Sequence, residues 1–415
     1  MKTIFLALSL LITFAFSLEA KDITINEFLL TAASDTLLEY EKEKIDFLSS
    51  SSSNTPFLDR VELRTQTEES DLNKQSYSVR FYPKGFGATS AGKEVHAATI
   101  ESAELQHGLL LHQALKTRYL LVVALLHTQK ELSLITHLSD VLKDKVTVLE
   151  QRRNDRNFDI NDLISAGDKF TKTQLEIIEL KSNLERIKNT VQTGFPLESR
   201  IAFADVTQTG IDIIRDMTQD LITVSVSENI YFENSSLDIK LAQTRYNLEK
   251  AKNRKLVSFL EASYDDKERR NTDAFFFEIG IRLPFINSNR LDINRRKVRL
   301  LTAQERKSRL EQELKQNIET CSANITMLLK QHAVLSDKKK QASTELSIKA
   351  YAQIEGADPL ALLKMKESII KRDLSAIKIS RGVFTNYIEL LDVSGRLSHK
   401  PLKNHLSKDQ ELLLP

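Results

Sequence analysis

The octapeptide Gly87-Ala88-Thr89-Ser90-Ala91-Gly92-Lys93-Glu94 comes closest to a chemical motif in this 415-residue chain. Its glycine and lysine spacing is that of a phosphate-binding loop. Such a loop needs a serine or threonine hydroxyl after the lysine to hold magnesium. Glu94 stands there instead, and its charge repels phosphate. None of the eight histidines lies four residues from another, and no His-Glu-x-x-His run exists, so no zinc site is indicated. There is no nucleophile elbow, and every carboxylate sits in a charge-rich helix or loop, so no acid/base pair stands out. Cys321 is the only cysteine; it lies mid-helix among Ile318, Ile325 and Leu328 and reads as a small buried hydrophobe. The expectation is a protein without catalytic residues, cofactor or metal.

What remains is architecture. Charged residues make up 28% of the chain, against 7 prolines, 11 glycines and no tryptophan, a balance suited to long amphipathic helices. The net charge of +2, from 59 basic and 57 acidic residues, leaves no electrostatic footprint for nucleic acid. Met1-Lys2-Thr3, an apolar run from Ile4 to Phe16 and a small residue at Ala20 read as a signal peptide over 1–20. The run is shorter than the roughly 20 apolar residues of a spanning helix. No cysteine follows it to carry a lipid anchor. The best later apolar run, Tyr119 to Leu126, reads as a buried helix seam. An exported chain of this kind crosses a bilayer, if at all, by strands.

The sequence states one plan twice. Ser78-Val79-Arg80-Phe81-Tyr82-Pro83 and Gly280-Ile281-Arg282-Leu283-Pro284 each read as a strand closed by proline before a helix, and the prolines are 201 residues apart. Gly194 and Gly395, each closing a helical stretch, are again 201 apart. Solenoid periods are roughly 20 to 50 residues, so this is a duplicated domain. Repeat 1 spans 21–194, with a first helix over 24–48, a β-hairpin over 59–83 and long helices over 91–150 and 163–193. A connecting segment follows over 195–233. Repeat 2 spans 234–395, with a helix over 237–252, a hairpin over 256–284 and long helices over 289–351 and 359–394. The tail over 396–415 has no evident job. A helix of some 60 residues extends about 90 Å and must lie along other long helices.

The strands alternate. Tyr77, Val79 and Phe81 share one face, opposed by Ser78, Arg80 and Tyr82. Phe275, Phe277, Ile279, Ile281 and Leu283 share another, opposed by Phe276, Glu278, Gly280 and Arg282. Four strands cannot bury such faces alone, and closed barrels need about eight. Strands from other chains must join them, with the apolar faces outward in a membrane barrel or inward in a sandwich; the long helices offer no second sheet.

With this ordered plan the chain resembles the TolC-like outer-membrane efflux family over about residues 24 to 395. Phe275 to Asn287 resembles the family's last strand, and Gly356 through Gly395 its last helix. Asn234-Ser235-Ser236-Leu237, followed by Ala242 and Ala251, resembles the opening of a repeat. The resemblance implies a mainly α fold with a small β part. It implies a homotrimer whose strands close a twelve-stranded barrel in the outer membrane of a Gram-negative cell, continued by a helical barrel in the periplasm. It also implies a passive duct, served by a periplasmic adaptor protein and an inner-membrane transporter. Tyr77, Val79, Phe81, Phe275, Phe277, Ile279 and Ile281 would face lipid. Some members narrow the periplasmic mouth with two aspartates on the last helix; Ala361 and Lys364 stand at those places here. Asp162 and Asp358 are the candidate substitutes, their other reading being helix caps. Arg152, Arg153, Asp155, Arg156 and Gly356 form the candidate adaptor-contact tip, their other reading being a solvated turn. The competing reading of the whole is a periplasmic or surface coiled-coil structural protein that forms no channel.

Overall fold

The computed structural model describes residues 22–51, 56–67, 75–154, 158–193, 195, 200–201, 210–223, 226–265, 274–282, 290–336, 346, 349–354, 356–407 and 410–414. In chain order the elements are β1 Asp22–Ile23, α1 Ile25–Leu30, α2 Thr36–Ser50, β2 Leu58–Thr67, β3 Gln75–Pro83, α3 Ala88–Gln151 and α4 Ile160–Gln192. Next are β4 Arg200–Ile201, α5 Ile211–Ile222, α6 Ile230–Asn253, β5 Val257–Asp265, β6 Ala274–Ile281 and α7 Arg290–Leu335. Last come α8 Pro359–Val393, β7 Leu402–Lys403 and β8 Leu412–Leu414. The signal peptide expected over 1–20 lies outside the described residues, as do Asp155, Arg156, Gly194, Leu283 and Pro284. Of the helix expected over 289–351, residues 290–335, 346 and 349–351 are helical, Ser336 is not, and 289, 337–345 and 347–348 lie outside the described residues.

The chain divides into two compact units. The first comprises Met1–Asp35, Leu111–Val224 and Gln316–Pro415; the second comprises Thr36–Leu110 and Ser225–Lys315.

The first unit is built on helix seams. On α3, Leu115, Tyr119, Val122 and Leu126 recur at three- and four-residue steps and are buried. They pack with Leu184, Ile187 and Val191 of α4 and with Val383, Phe384, Tyr387 and Ile388 of α8. Each such side chain contributes about 1.5–3 kcal/mol on leaving water. The seam makes α3 long and apolar enough to cross a bilayer, but nearly half of its most apolar window is buried in protein. Of the histidines, His112, His127 and His405 enter this interior; burial pushes the His127 and His405 rings down to about 4, so both are neutral near pH 7. Cys321 is half-buried against the same core, and burial raises its thiol.

Three features differ from the sequence reading. The first helix, expected unbroken over 24–48, is two helices joined by a 3₁₀ turn over Thr31–Ser34 and an extended Asp35. Arg118 explains the break: its guanidinium donates to Thr31 Oγ1 at 2.8 Å, to Thr31 O at 3.0 Å and to Asp35 at 3.3 Å. These bonds satisfy a backbone carbonyl that a continuous helix would have used. The connecting segment contains α5, whose Ile214 and Thr218 are buried. The tail, which showed no evident job in the sequence, is folded. β7 and β8 pair antiparallel, and Leu397, Leu402, Leu406 and Leu413 join the main core.

The tail begins where α8 stops. Gly395 takes φ 74°, and the amides of Gly395 and Arg396 donate to Asp392 O and Leu391 O, each at 2.9 Å. A side chain at that φ is strained, which accounts for the glycine. Beyond it, the buried Tyr119 hydroxyl donates to Lys403 O at 2.8 Å and accepts from the His405 amide at 3.2 Å. Tyr119→Phe leaves both backbone groups without that partner at a cost of roughly 1–3 kcal/mol. Thermal melting of the purified variant should show a lower midpoint, and limited proteolysis should show earlier cleavage after residue 396. An unchanged melting curve and cleavage pattern would show that the hydroxyl does not hold the tail.

Candidate functional site

The second unit holds the sheet. Its strand order is β2-β3-β5-β6, antiparallel throughout, so the two hairpins join through β3 and β5. The register aligns the alternating residues of all four strands. Val61, Phe81, Leu260 and Ile279 form one cross-strand row; Leu63, Val79, Ala262 and Phe277 form the next; Thr65, Tyr77, Tyr264 and Phe275 form a third. These rows make one continuous apolar face. Leu63 is 81% exposed and Phe277 83% exposed; Phe275, Ile279 and Ile281 are also exposed, and Val79 and Phe81 are half-buried. No strand residue of this sheet joins a buried core cluster among the described residues.

The reverse face is polar. Glu62, Arg80, Glu261 and Glu278 make a row across it. Arg80 pairs with Glu261, Arg64 donates to Glu62 at 2.7 Å, and the Tyr82 hydroxyl donates to Glu62 at 3.0 Å. The Arg80 guanidinium lies over the Phe259 ring, 4.1 Å from its centre. That ring presses on Gly280, where any Cβ would collide with it. Phe276 is the one large apolar side chain of β6 on this face, and it is exposed. Among the described residues, strands β2 and β6 each keep one edge unpaired, so the sheet is open.

The turn residues lie in the first unit. Asp358 caps α8: its carboxylate accepts from the Leu360 amide at 3.1 Å, with Pro359 in the first turn. Arg152, just past α3, donates to the same carboxylate at 2.7 Å. The structure thus joins one residue of the candidate tip to one of the candidate mouth. The cap of α4 is Asp159, whose carboxylate accepts from the Asn161 amide at 2.8 Å. Asp162 lies one turn on and is exposed, as is Arg153; Lys364 lies on the first turns of α8. Gly356 takes φ 82°, the left-handed conformation of a tight turn. Beneath the turns, Leu149, Leu163 and Ala166 form a small core with Leu360 and Phe158. Sequence reasoning passed over Asp159, although an aspartate directly before the apolar Ile160 is a helix-start signal.

One trio has the atoms of a nucleophile relay. His112 lies 3.0 Å from Ser398 Oγ through Nδ1 and 3.0 Å from Asp392 Oδ1 through Nε2. His112 is fully buried, and Lys116 donates to Asp392 and to Glu389, each at 2.7 Å. Burial opposes the Lys116 charge, but the two carboxylates outweigh it and raise its pKa. The arrangement is a buried tie between α3 and the end of α8.

No family model matches the chain, and no curated protein does. Solved structures do. The MtrE outer membrane channel of Neisseria gonorrhoeae, in its open state, is similar over 93% of this chain and 90% of that chain, with TM-score 0.61 and 14% identity. The outer-membrane channel OprN is similar over 89% of each chain, with TM-score 0.62 and 11% identity. The outer membrane protein VceC of Vibrio cholerae is similar over 89% of this chain and 96% of that chain, with TM-score 0.57 and 12% identity. The chain therefore has the mainly helical TolC-like fold of outer-membrane channel proteins.

Proposed function

We propose that this protein is the outer-membrane exit duct of an efflux or type I secretion system. The observation that carries the reading is the sheet: four strands, a largely apolar face with no covering layer and two edges with no partner strand among the described residues, and a charged reverse face. Water penalises that apolar face, and a bilayer does not. Three copies joined edge to edge give twelve strands, enough to close a barrel with its polar faces inward. Tyr77, Val79, Phe81, Phe275, Phe277, Ile279 and Ile281 then meet lipid. The long helices form the periplasmic continuation as a duplicated repeat. An exposed stripe on α4, Ile160, Ile164, Leu175 and Ile178, supports packing against a neighbouring copy. The fold shared with the MtrE and OprN channels supports the same reading.

In this reading the duct carries out no chemistry. It takes substrate from an inner-membrane transporter through a periplasmic adaptor, which meets the tip at Arg152, Arg153, Asp155, Arg156 and Gly356. The periplasmic mouth lies at Asp162, Asp358 and Lys364. Arg152 offsets the Asp358 charge, so Asp162 is the freer carboxylate there.

Cell fractionation should place the protein in the outer membrane, extractable only by detergent, as an oligomer of three. Phe277→Arg puts a charge against lipid at roughly 2–4 kcal/mol near the bilayer midplane and should sharply cut the yield of extracted oligomer. Glu278→Gln, on the reverse face, should leave that yield unchanged. Recovery in the soluble periplasm would favour a coiled-coil structural protein. In planar bilayers, Asp162→Ala with Asp358→Ala should raise single-channel conductance and weaken block by divalent cations. Wild-type conductance and block in the double variant would leave Asp358 a helix cap alone and Asp162 a solvated residue of the first turn of α4.

A further inference from the structure

The second unit also carries a cleft with a marked charge excess. A cavity of about 310 Å³ between α6 and α7 is lined by Arg245, Arg296, Arg299 and Arg306, with Asp238 the one carboxylate and Leu241 on its apolar side. Four guanidinium groups around one acid repel one another, and an anion bound among them relieves that repulsion. Guanidinium also suits phosphate, which it grips with two parallel hydrogen bonds.

The position of the charge narrows the ligand. Basic residues gather at the end of α6 and in the link to β5: Arg245, Lys250 and Lys252 on the helix, then Arg254 and Lys255, stand against Glu249 alone. The earlier part of that helix, 230–244, holds Glu233 and Asp238 against Lys240. On α7 they gather at the start, where Arg290, Arg295, Arg296, Lys297 and Arg299 stand against Asp292. Residues 300–315 of the same helix are mixed, with Glu305, Glu311 and Glu313 among their basic neighbours. The two basic ends lie together, because Lys250 and Lys297 sit over the same Tyr246 ring at 5.4 and 5.6 Å from its centre. At 1.5 Å per residue, Arg245 is roughly 12 Å from the end of α6, and Arg296 and Arg299 are roughly 9 and 14 Å from the start of α7. Those are headgroup depths beside a sheet whose face is apolar, and an aromatic ring among basic residues is the composition of a membrane interface.

We propose that the cleft of Arg245, Arg296 and Arg299 holds the phosphate of an anionic phospholipid from the leaflet next to the helices. The inference rests on the sheet being membrane-embedded. It adds a headgroup-specific site to that reading. Each cation near an anionic surface adds a favourable increment that salt screens.

The test uses the purified full-length oligomer in a neutral detergent, with melting temperature and retained lipid by native mass spectrometry as readouts. Dioleoylphosphatidylglycerol should raise the melting temperature by several degrees and be retained. Dioleoylphosphatidylcholine and inorganic phosphate at equal concentration should do neither. Arg245→Gln with Arg296→Gln and Arg299→Gln should lose most of that shift, and the triple lysine variant should keep part of it. The lysine variant also serves as the test should the glutamine variant not fold. An equal shift from phosphatidylcholine, an equal shift from phosphate, or a full shift in the glutamine variant would each overturn the proposal. The requirement for detergent does not depend on headgroup, so loss of the lipid site leaves the sheet reading standing, whereas a water-soluble protein ends both.

Discussion

The sheet cannot satisfy itself. Alternate residues of four paired strands are mostly apolar and point the same way, and no layer of this chain covers them among the described residues. Exposed apolar area costs about 25 cal/mol per Å² in water, so a face this broad has to find lipid or protein. The outer edges of β2 and β6, unpaired among the described residues, add a second demand, since strand edges left bare are templates for further pairing. Closure between copies and insertion into a bilayer meet both demands at once. The charged reverse face fits the same solution, because Arg80 already holds Glu261, Tyr82 already holds Glu62, and both pairs suit a wet interior.

The first unit solves a different problem. Long helices gain little from their own backbone hydrogen bonds and depend on seams packed against neighbours. Here α3, α4 and α8 supply those seams, and polar ties fix where the helices stop. Arg118 halts the first helix, Gly395 turns the chain out of α8, and Tyr119 with Asn404 anchors the tail. Asn404 reaches Asn26 at 2.6 Å, so the tail is held to α1 as well as to α3.

Much of this was legible in the sequence for a local reason. Period-two alternation in Tyr77-Val79-Phe81 and Phe275-Phe277-Ile279 depends only on neighbours, as does the helical spacing of Leu115 and Tyr119. Features set by distant partners stayed hidden. The pairing of β3 with β5 joins Arg80 to Glu261 across 181 residues, and no local pattern records it. The break after α1 is set by Arg118, 87 residues away. The tail looked idle because its few leucines bury only against the distant helices of the main core. At the turns, the sequence drew attention to Asp162, while the capping geometry belongs to Asp159, three residues earlier.

The central claim is that one face of β6 meets lipid and the other meets water. Spin labels placed singly along residues 274–281 of the assembled protein, in a background carrying Cys321→Ser, read this directly in lipid bilayers. The account predicts alternation: labels at 275, 277, 279 and 281 relax with oxygen, and those at 276 and 278 relax with a water-soluble nickel chelate. Nickel access at all positions, or no alternation along the strand, would contradict it.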